Sequence, residues 1–256
     1  MIINKKYLIN LGRILVISAI LLAWEVMSRT GVIDPFFVSQ PSAIIVDFVV
    51  LFTSKEIFKH LKVTLYATLM GLVLGSVSGL VLAFILGRFQ FLERVLDPVI
   101  FALYGIPKLA LGPLFILWFG LGIESKVVLS FIWVFFVMYF NAYGGFKDVD
   151  SKLVDSIRLM GASEFQVITK VVFPSSLPWI LTGLKSGVGV ALLGTIVGEY
   201  IGSSVGLGNM VMYAGNMFNT TRVFSSILVM TLMMIILNEL VELLESRVLR
   251  WRTSSF

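Results

Sequence analysis

Residues 63–86 form a run of 24 residues without a charged side chain. As an α-helix, this run would measure about 36 Å at about 1.5 Å per residue, and about 20 apolar residues are enough to cross a bilayer. Inside the hydrocarbon core, a helix satisfies all of its own backbone hydrogen bonds, so an apolar run of this length is typical of a spanning helix. We therefore predict that the chain folds in a membrane.

The composition of the whole chain supports the same environment. Hydrophobic residues make up 58% of the 256 residues and charged residues only 14%, whereas soluble proteins have about 45–50% and about 25%. A chain of this kind cannot supply the polar surface that a soluble domain needs. It contains no cysteine, which excludes disulfides and thiolate-bound metals. The net charge of +5 comes from dispersed residues, which favours anchors at the membrane edge over a nucleic-acid surface.

Six windows of the sequence are long and apolar enough, or nearly so, to be spans. The third of them is interrupted by Pro107 and Pro113. We predict an all-α integral membrane protein with about six transmembrane helices and both termini on one side. The six windows are 9–27, 63–86, 99–119, 127–146, 179–201 and 223–244.

The distribution of lysine and arginine predicts the orientation of these spans, because cytoplasmic loops are enriched in both. With a cytoplasmic N-terminus, twelve basic residues lie inside and six outside, while Lys108 and Lys185 fall within spans. The longest cytoplasmic loop is then 147–178. The inside residues are Lys5, Lys6, Arg13, Arg88, Arg94, Lys147, Lys152, Arg158, Lys170, Arg247, Arg250 and Arg252. The outside residues are Arg29, Lys55, Lys59, Lys62, Lys126 and Arg222.

Two further segments are predicted to lie outside the membrane without spanning it. Residues 40–60 are apolar in patches but charged at their end, which favours an interfacial helix. Residues 202–222 are rich in glycine and asparagine and are predicted to form a re-entrant or surface segment that covers a cavity.

Small residues recur every four positions along two of the predicted spans. Such a row makes a smooth groove in which a neighbouring helix can approach closely, so we expect span two to be buried among other helices. The predicted packing glycines are Gly71, Gly75 and Gly79 in span two, and Gly194 and Gly198 in span five.

The sequence has none of the patterns expected of an enzyme. There is no HExxH, no Cys/His cluster and no paired-carboxylate signature, and the single histidine, His60, lies at a predicted membrane edge. The phosphate-binding pattern G-x-x-x-x-G-K-[ST] is absent. We expect no cofactor, metal or nucleotide in this chain. Four ionisable residues lie in or near spans, where such residues are often functional: Glu25, Lys108, Lys185 and Glu199.

The polar stretch 153–178 predicts two short helices joined by a turn. Gly161 can adopt the left-handed conformation that ends a helix. Ser163 and Gln166 have the spacing of a capping box at the start of the next helix. We expect Phe165, Ile168 and Val172 to share one face of that helix, and Pro174 and Pro178 to stop it before span five.

This stretch resembles the motif of the membrane subunits of ATP-binding-cassette (ABC) importers, which reads Glu-Ala-Ala, three residues, Gly, nine residues, Ile-x-Leu-Pro. Asp155-Ser156-Ile157 stands in place of Glu-Ala-Ala, and Gly161, Val171, Phe173 and Pro174 follow at the family's spacing. Segments 96–126, 182–210 and 243–251 are similar to the nitrate/sulfonate/taurine branch, which includes importers of thiamine precursors. The similarity covers about 60–251.

The resemblance implies a type I ABC importer fold, with a cytoplasmic coupling helix between spans four and five. It implies two ATPase subunits that bind ATP and Mg, an extracytoplasmic solute-binding protein, a second permease subunit in a homodimer, and a bacterial inner-membrane location. The implied domains are 1–62, an N-terminal span with an interfacial segment, and 63–251, the importer domain. The residues expected to couple to the ATPase are Asp155, Gly161, Ala162, Ser163, Glu164, Phe165 and Pro174.

The translocation pathway is predicted to involve Pro107, Lys108, Pro113 and Glu199. The prolines should kink or open span three, and a broken span is tolerated where protein or a watery cavity satisfies its backbone. A lysine so placed would favour an anionic solute, such as a sulfonate or nitrate. Alternatively, Lys108 is structural and pairs with a neighbouring carbonyl or with Glu199.

Two other classes of function remain open from the sequence. An ion-coupled secondary transporter would need an intramembrane carboxylate at a helix break, for which Glu199 is the candidate. A membrane-embedded enzyme or assembly factor would need a catalytic cluster or a large soluble domain, and the sequence shows neither.

Overall fold

The computed structural model describes residues 5–249, and within that range the chain is helical and has no β-strand. The first helices are α1 (Lys5–Arg29), α2 (Pro35–Val38), α3 (Pro41–Thr53), α4 (Glu56–Arg88) and α5 (Gln90–Gly105). After a 3₁₀ turn at Lys108–Leu111 come α6 (Gly112–Phe119), α7 (Ile123–Lys147), α8 (Ser151–Leu159) and α9 (Glu164–Val167). A π-helical turn at Ile168–Val172 precedes α10 (Phe173–Gly202), α11 (Leu207–Asn216) and α12 (Thr220–Val248).

Five helices of the described chain are long and apolar enough to cross a membrane, and one bent pair supplies a sixth span. The prediction of about six spans is confirmed. The continuous spans are Leu8–Arg29, Glu56–Arg88, Ile123–Lys147, Glu164–Gly202 and Thr220–Val248, and the bent pair is Gln90–Gly105 with Lys108–Phe119.

The bent span turns by 79° between α5 and the segment that begins at Lys108. Ile106, directly before Pro107, is extended with φ −65° and ψ 130°, as the ring of a following proline requires. Pro113 adds no second break, because it lies in the first turn of α6, where the missing N–H has no helical acceptor to lose.

The prediction that Pro174 and Pro178 stop the second short helix is wrong. The helix runs without interruption from Glu164 to Gly202. Pro174 lies in the first turn of α10 and Pro178 lies inside that helix. The π-helical turn Ile168–Val172 directly precedes them and changes the backbone pairing where a proline would otherwise remove an α-helical bond.

The two segments predicted to lie outside the membrane each contain a short helix. Residues 40–60 contribute α3, of 13 residues, and their last five residues already belong to α4. Residues 202–222 contain α11, of 10 residues, between the ends of α10 and α12.

Contacts divide the chain into two compact units, 5–60 with 210–231, and 61–209 with 232–249. In the first unit, Arg222 forms a bidentate ion pair with Asp47, with N–O distances of 2.9–3.1 Å. Glu25 accepts the backbone N–H of Ser42 at 3.0 Å and pairs with Arg29. Glu25 therefore binds the first turn of α3.

The second unit is organised around α7, which packs along α10. Its buried core includes Ala83, Leu86, Ile100, Phe136, Met138, Tyr139, Ala142 and Ile180. The N-terminal end of the α10 span is fixed on α7 by Ser176, whose hydroxyl donates to the carbonyl of Gly145 at 3.0 Å.

The predicted packing glycines of both rows lie against α7. A β-carbon on Gly75 would meet that of Val134 at 2.7 Å, and one on Gly194 would meet the α-carbon of Ser130 at 2.8 Å. Gly71, Gly79 and Gly198 meet the same helix. The opposite face of α4 is exposed at Val73, Val77 and Val81, so within this chain span two is buried on its glycine face only.

The predicted division at residues 62/63 stays a prediction about domain organisation. The contact-based units differ from it in grouping 210–231 with the residues up to 60. Arg250 and Arg252, and the last two residues of the predicted domain 63–251, lie outside the described residues.

Candidate coupling turn and translocation path

The turn between α8 and α9, residues 159–165, is called the coupling turn below. It is built by two complementary helix caps. Gly161 has φ +85°, its N–H donates to the carbonyl of Arg158 at 2.9 Å, and the N–H of Ala162 donates to that of Ile157 at 3.0 Å. These two hydrogen bonds form a Schellman motif, which ends a helix at a left-handed residue. Ser163 and Gln166 then form a complete capping box.

The tip of this turn carries bare apolar side chains. Leu159 is 89% exposed, Met160 84% and Phe165 74%. Phe165 is exposed, whereas Ile168 and Val172 are half-buried. That the three residues share one face of the helix stays a prediction. Val167, 2% exposed, is the buried residue of α9. The turn therefore presents an apolar surface that this chain alone leaves uncovered.

Glu164 is held between two arginines of the same chain. Its carboxylate lies 2.8 Å from the guanidinium of Arg88 at the end of α4, and 3.0 Å from that of Arg158 on α8. Asp155 is more exposed, and its contact with Arg158 is long at 3.9 Å. Glu164 thus fixes the turn to span two, while Asp155 is open to a partner.

A cavity of about 360 Å³ lies behind the turn. It lies between the ends of the spans nearest the turn and the two short helices, and its lining mixes charged and apolar side chains, among them Phe84, Arg88, Phe146, Asp155, Glu164 and Ile168. Pro174 does not line this cavity. The cavity separates part of the turn from the spans, and the Arg88–Glu164 ion pair joins the two.

Lys108 occupies the break of the bent span. Its ammonium donates to the carbonyl of Tyr104 at 2.8 Å and lies 4.4 Å and 5.1 Å from the ring centres of Tyr104 and Phe136. Among the ion pairs of residues 5–249, none includes Lys108. Its charge is therefore stabilised by a carbonyl and two aromatic faces rather than by a carboxylate.

Glu199 is fully buried and does not pair with Lys108. It accepts hydrogen bonds from the hydroxyl of Thr64 at 2.7 Å and from the backbone N–H of Gly208 at 2.8 Å. The described hydrogen bonds and ion pairs bring the coupling-turn residues together but do not join the two predicted ionisable path residues. Glu199 also lies inside a continuous helix, not at a break.

Comparison with known proteins decides the family. Residues 71–250 match the model of the binding-protein-dependent transport system inner membrane component. The chain is 36% identical over 241 residues to the putative aliphatic sulfonates transport permease protein of Bacillus subtilis (strain 168), covering 94% of this chain and 87% of the relative. This chain belongs to the family of binding-protein-dependent ABC transporter permeases.

Two further similarities agree with this assignment. The formylaminopyrimidine transport permease protein of Halalkalibacterium halodurans is 33% identical to this permease over 233 residues, covering 91% of this chain and 92% of the relative. A chain of the inward-facing MetNI methionine ABC transporter superposes with a TM-score of 0.62 at 18% identity, covering 76% of this chain and 95% of that chain. The latter shows the fold, and the type I importer architecture is confirmed.

Three residues of this permease were not singled out as site residues from the sequence. The sequence marks Arg88 only as a basic residue next to a span, and it gives no signal for Thr64. Lys126, expected in an outside loop, is instead buried on α7, where its ammonium donates to the carbonyls of Leu121, at 2.7 Å, and Gly202. No sequence pattern marks these residues, because each acts through a helix distant in the chain.

Proposed function

We propose that this permease lines the import pathway for a small anionic solute, of the sulfonate, taurine, nitrate or thiamine-precursor type, delivered by a binding protein. Two copies of the chain, each with one coupling turn and six spans, make up the pathway. Two cytoplasmic ATPase subunits bind ATP and Mg and drive it. The complex lies in the bacterial inner membrane, with both termini of each permease in the cytoplasm.

The observation that carries this proposal is the uncovered apolar tip of the coupling turn. Leu159, Met160 and Phe165 expose surface that costs free energy in water, about 25 cal/mol per Å² of apolar area. A groove on an ATPase subunit would cover it, and Asp155 would make polar contacts at the rim of that groove. Gly161, Ala162, Ser163 and Pro174 shape the turn and its connection to span five.

The preference for an anion is supported by Lys108. The carbonyl of Tyr104 and two aromatic faces stabilise its ammonium but do not neutralise it, and no carboxylate within residues 5–249 forms an ion pair with it. Pro107 opens the helix beside it, and Pro113 starts the next helix. In a homodimer, two such lysines would face a shared path. Aliphatic sulfonates, for which one similar permease is named, are anions and agree with this charge, whereas formylaminopyrimidine, named for another, is not an anion.

The ion-coupled alternative receives no support from the geometry of Glu199. A coupling carboxylate must exchange its ion with water, whereas this side chain is fully buried and engaged by Thr64 and Gly208. We therefore assign Glu199 a different role below.

The test is uptake by proteoliposomes that contain the permease with its ATPase subunits, with the binding protein added outside. Labelled ethanesulfonate is the probe, and taurine, nitrate and an aminopyrimidine are competitors. We expect uptake only with ATP, and at least one competitor to block it. Uptake driven by a sodium or proton gradient without the ATPase would contradict the proposal.

In the same assay, Lys108→Gln and Lys108→Glu test the anion preference. We expect Lys108→Gln to reduce uptake about tenfold and Lys108→Glu to abolish it, because the reversed charge repels an anion. Basal ATP hydrolysis should stay near the parent value in both variants. If Lys108→Glu transports as well as the parent, this side chain does not face the solute.

A further inference from the structure

Glu199 and Thr64 tie the end of span five to the segment that follows it. One carboxylate oxygen of Glu199 accepts the hydroxyl of Thr64 at 2.7 Å, and the other accepts the N–H of Gly208 at 2.8 Å. The hydroxyl oxygen of Thr64 in turn accepts the N–H of Leu207 at 2.9 Å. We call this set of Thr64, Glu199 and the first two N–H groups of α11 the Glu199 clamp.

The backbone around the Glu199 clamp is packed too closely to accept a side chain at Gly206 or Gly208. A β-carbon on Gly208 would meet the carbonyl oxygen of Ile196 at 2.6 Å, and one on Gly206, which has φ +132°, would overlap the carboxyl group of Glu199. Lys126 binds the carbonyl of Gly202 from α7. The end of α10 and the start of α11 are thus held against each other at several points.

The helix of span five and α4, which the clamp joins through Glu199 and Thr64, are also joined at their other ends. The helix that contains Glu199 begins at Glu164, which pairs with Arg88. Thr64 and Arg88 both lie on α4. Span two and the helix of span five are therefore joined at two places, by Arg88 and Glu164 beside the coupling turn and by Thr64 and Glu199 at the clamp.

We propose that Glu199 and Thr64 are positioning residues that transmit movement of the coupling turn to the connection 203–206 and the first turn of α11. The proposal rests on the proposed function, because the ATPase supplies the movement. A buried carboxylate that lost its donors would be left uncompensated, which is strongly unfavourable. The first turn of α11 therefore moves together with the end of α10 rather than separating from it.

The chain offers a matched pair of variants for the test. Thr64→Val removes the hydroxyl that serves the clamp. Thr68→Val removes an equally buried hydroxyl one turn away, whose hydrogen bond goes to Thr195 on α10, at 3.2 Å. Both substitutions are close in volume to the parent, and Thr64→Ser restores a hydroxyl at the clamp.

The readout is the reaction of a single thiol at Ser204→Cys, an exposed position of the connection in a chain without cysteine. The full complex with its ATPase subunits is labelled with a maleimide, with and without a non-hydrolysable ATP analogue. We expect the analogue to change the labelling rate about threefold in the parent and in Thr68→Val, not at all in Thr64→Val, and again in Thr64→Ser.

The other outcomes overturn the proposal, apart from loss of assembly in Thr64→Val, for which a second variant decides. If the labelling rate of the parent thiol does not respond to the analogue, the connection 203–206 does not move with the ATPase. If Thr64→Val responds as Thr68→Val does, the hydroxyl of Thr64 contributes to stability alone. If Thr64→Val no longer assembles with the ATPase, the thiol rate is compared in Glu199→Gln, where loss of response is expected and a parental response rejects the proposal. A parent complex without ATP hydrolysis would refute the proposed function itself, and the clamp with it.

Discussion

At the scale of single residues, glycine serves this permease for two different physical reasons. Gly161 has φ +85° and open space around its missing β-carbon, so only its backbone conformation requires a glycine. Gly75 has ordinary helical geometry, but a β-carbon would meet the carbonyl oxygen of Phe131 at 2.8 Å. The first position can therefore accept another residue that tolerates the left-handed region, whereas the second cannot accept a side chain of any kind.

Gly161→Val should weaken association with the ATPase while leaving the protein in the membrane. A β-branched residue at positive φ costs about 1–3 kcal/mol, and each 1.4 kcal/mol corresponds to about a tenfold change in affinity. The measurement is the amount of ATPase subunit that copurifies over a range of concentrations.

The matched control at this position is Gly161→Asn, because asparagine adopts the left-handed region more readily than valine does. It should retain most of the association. If Gly161→Val binds the ATPase as tightly as the parent does, the shape of the turn does not govern docking.

At the scale of helices, α4 and α10 both use glycine faces to approach α7. Close approach of this kind brings backbones together where lipid offers no hydrophobic driving force between helices. The helix of span five is unusual in running from the coupling turn at Glu164 to Gly202 through a π-helical turn. Because of that continuity, the coupling turn is part of a span rather than a separate appendage.

Gly75→Leu should destabilise the packing of α4 on α7. The added side chain would overlap the backbone of α7, and overpacking of this kind costs about 1–3 kcal/mol. The measurement is the thermal unfolding midpoint of the purified complex in detergent.

Gly12→Leu is the control for this effect, because Gly12 is also helical but has no heavy atom within 4 Å of an added β-carbon. Its midpoint should stay close to that of the parent. Equal midpoints for the two variants would show that the glycine face of α4 is not tightly packed in the membrane.

At the scale of the whole molecule, the distribution of charge predicts the orientation. The basic count of twelve against six included Lys126 among the outside residues, but the structure buries that side chain. Removing it makes the count twelve against five, which strengthens the preference for a cytoplasmic N-terminus. The coupling turn is then on the side where an ATPase has access to it.

Thiol labelling in intact cells tests this orientation. With no native cysteine, Ser163→Cys and Ser204→Cys each supply the single thiol of the chain. We expect an impermeant maleimide to label Ser204→Cys directly and Ser163→Cys only after the membrane is permeabilised. Direct labelling of Ser163→Cys would reverse the topology and remove the basis for coupling.

The sequence by itself determined the solvent, the number of spans and the shape of the coupling turn, since these depend on local properties. Apolar length defines a span, a left-handed glycine ends α8, and the Ser163–Gln166 spacing caps α9. Only the tertiary structure decided what Glu164, Lys126 and Glu199 do, because each binds a group far away in the chain: Arg88, Gly202 and Thr64 respectively. It also decided that the helix continues past Pro174, which a π-helical turn directly precedes. A charged side chain of this kind takes its role from the partners that folding brings to it, and sequence spacing carries no record of those partners.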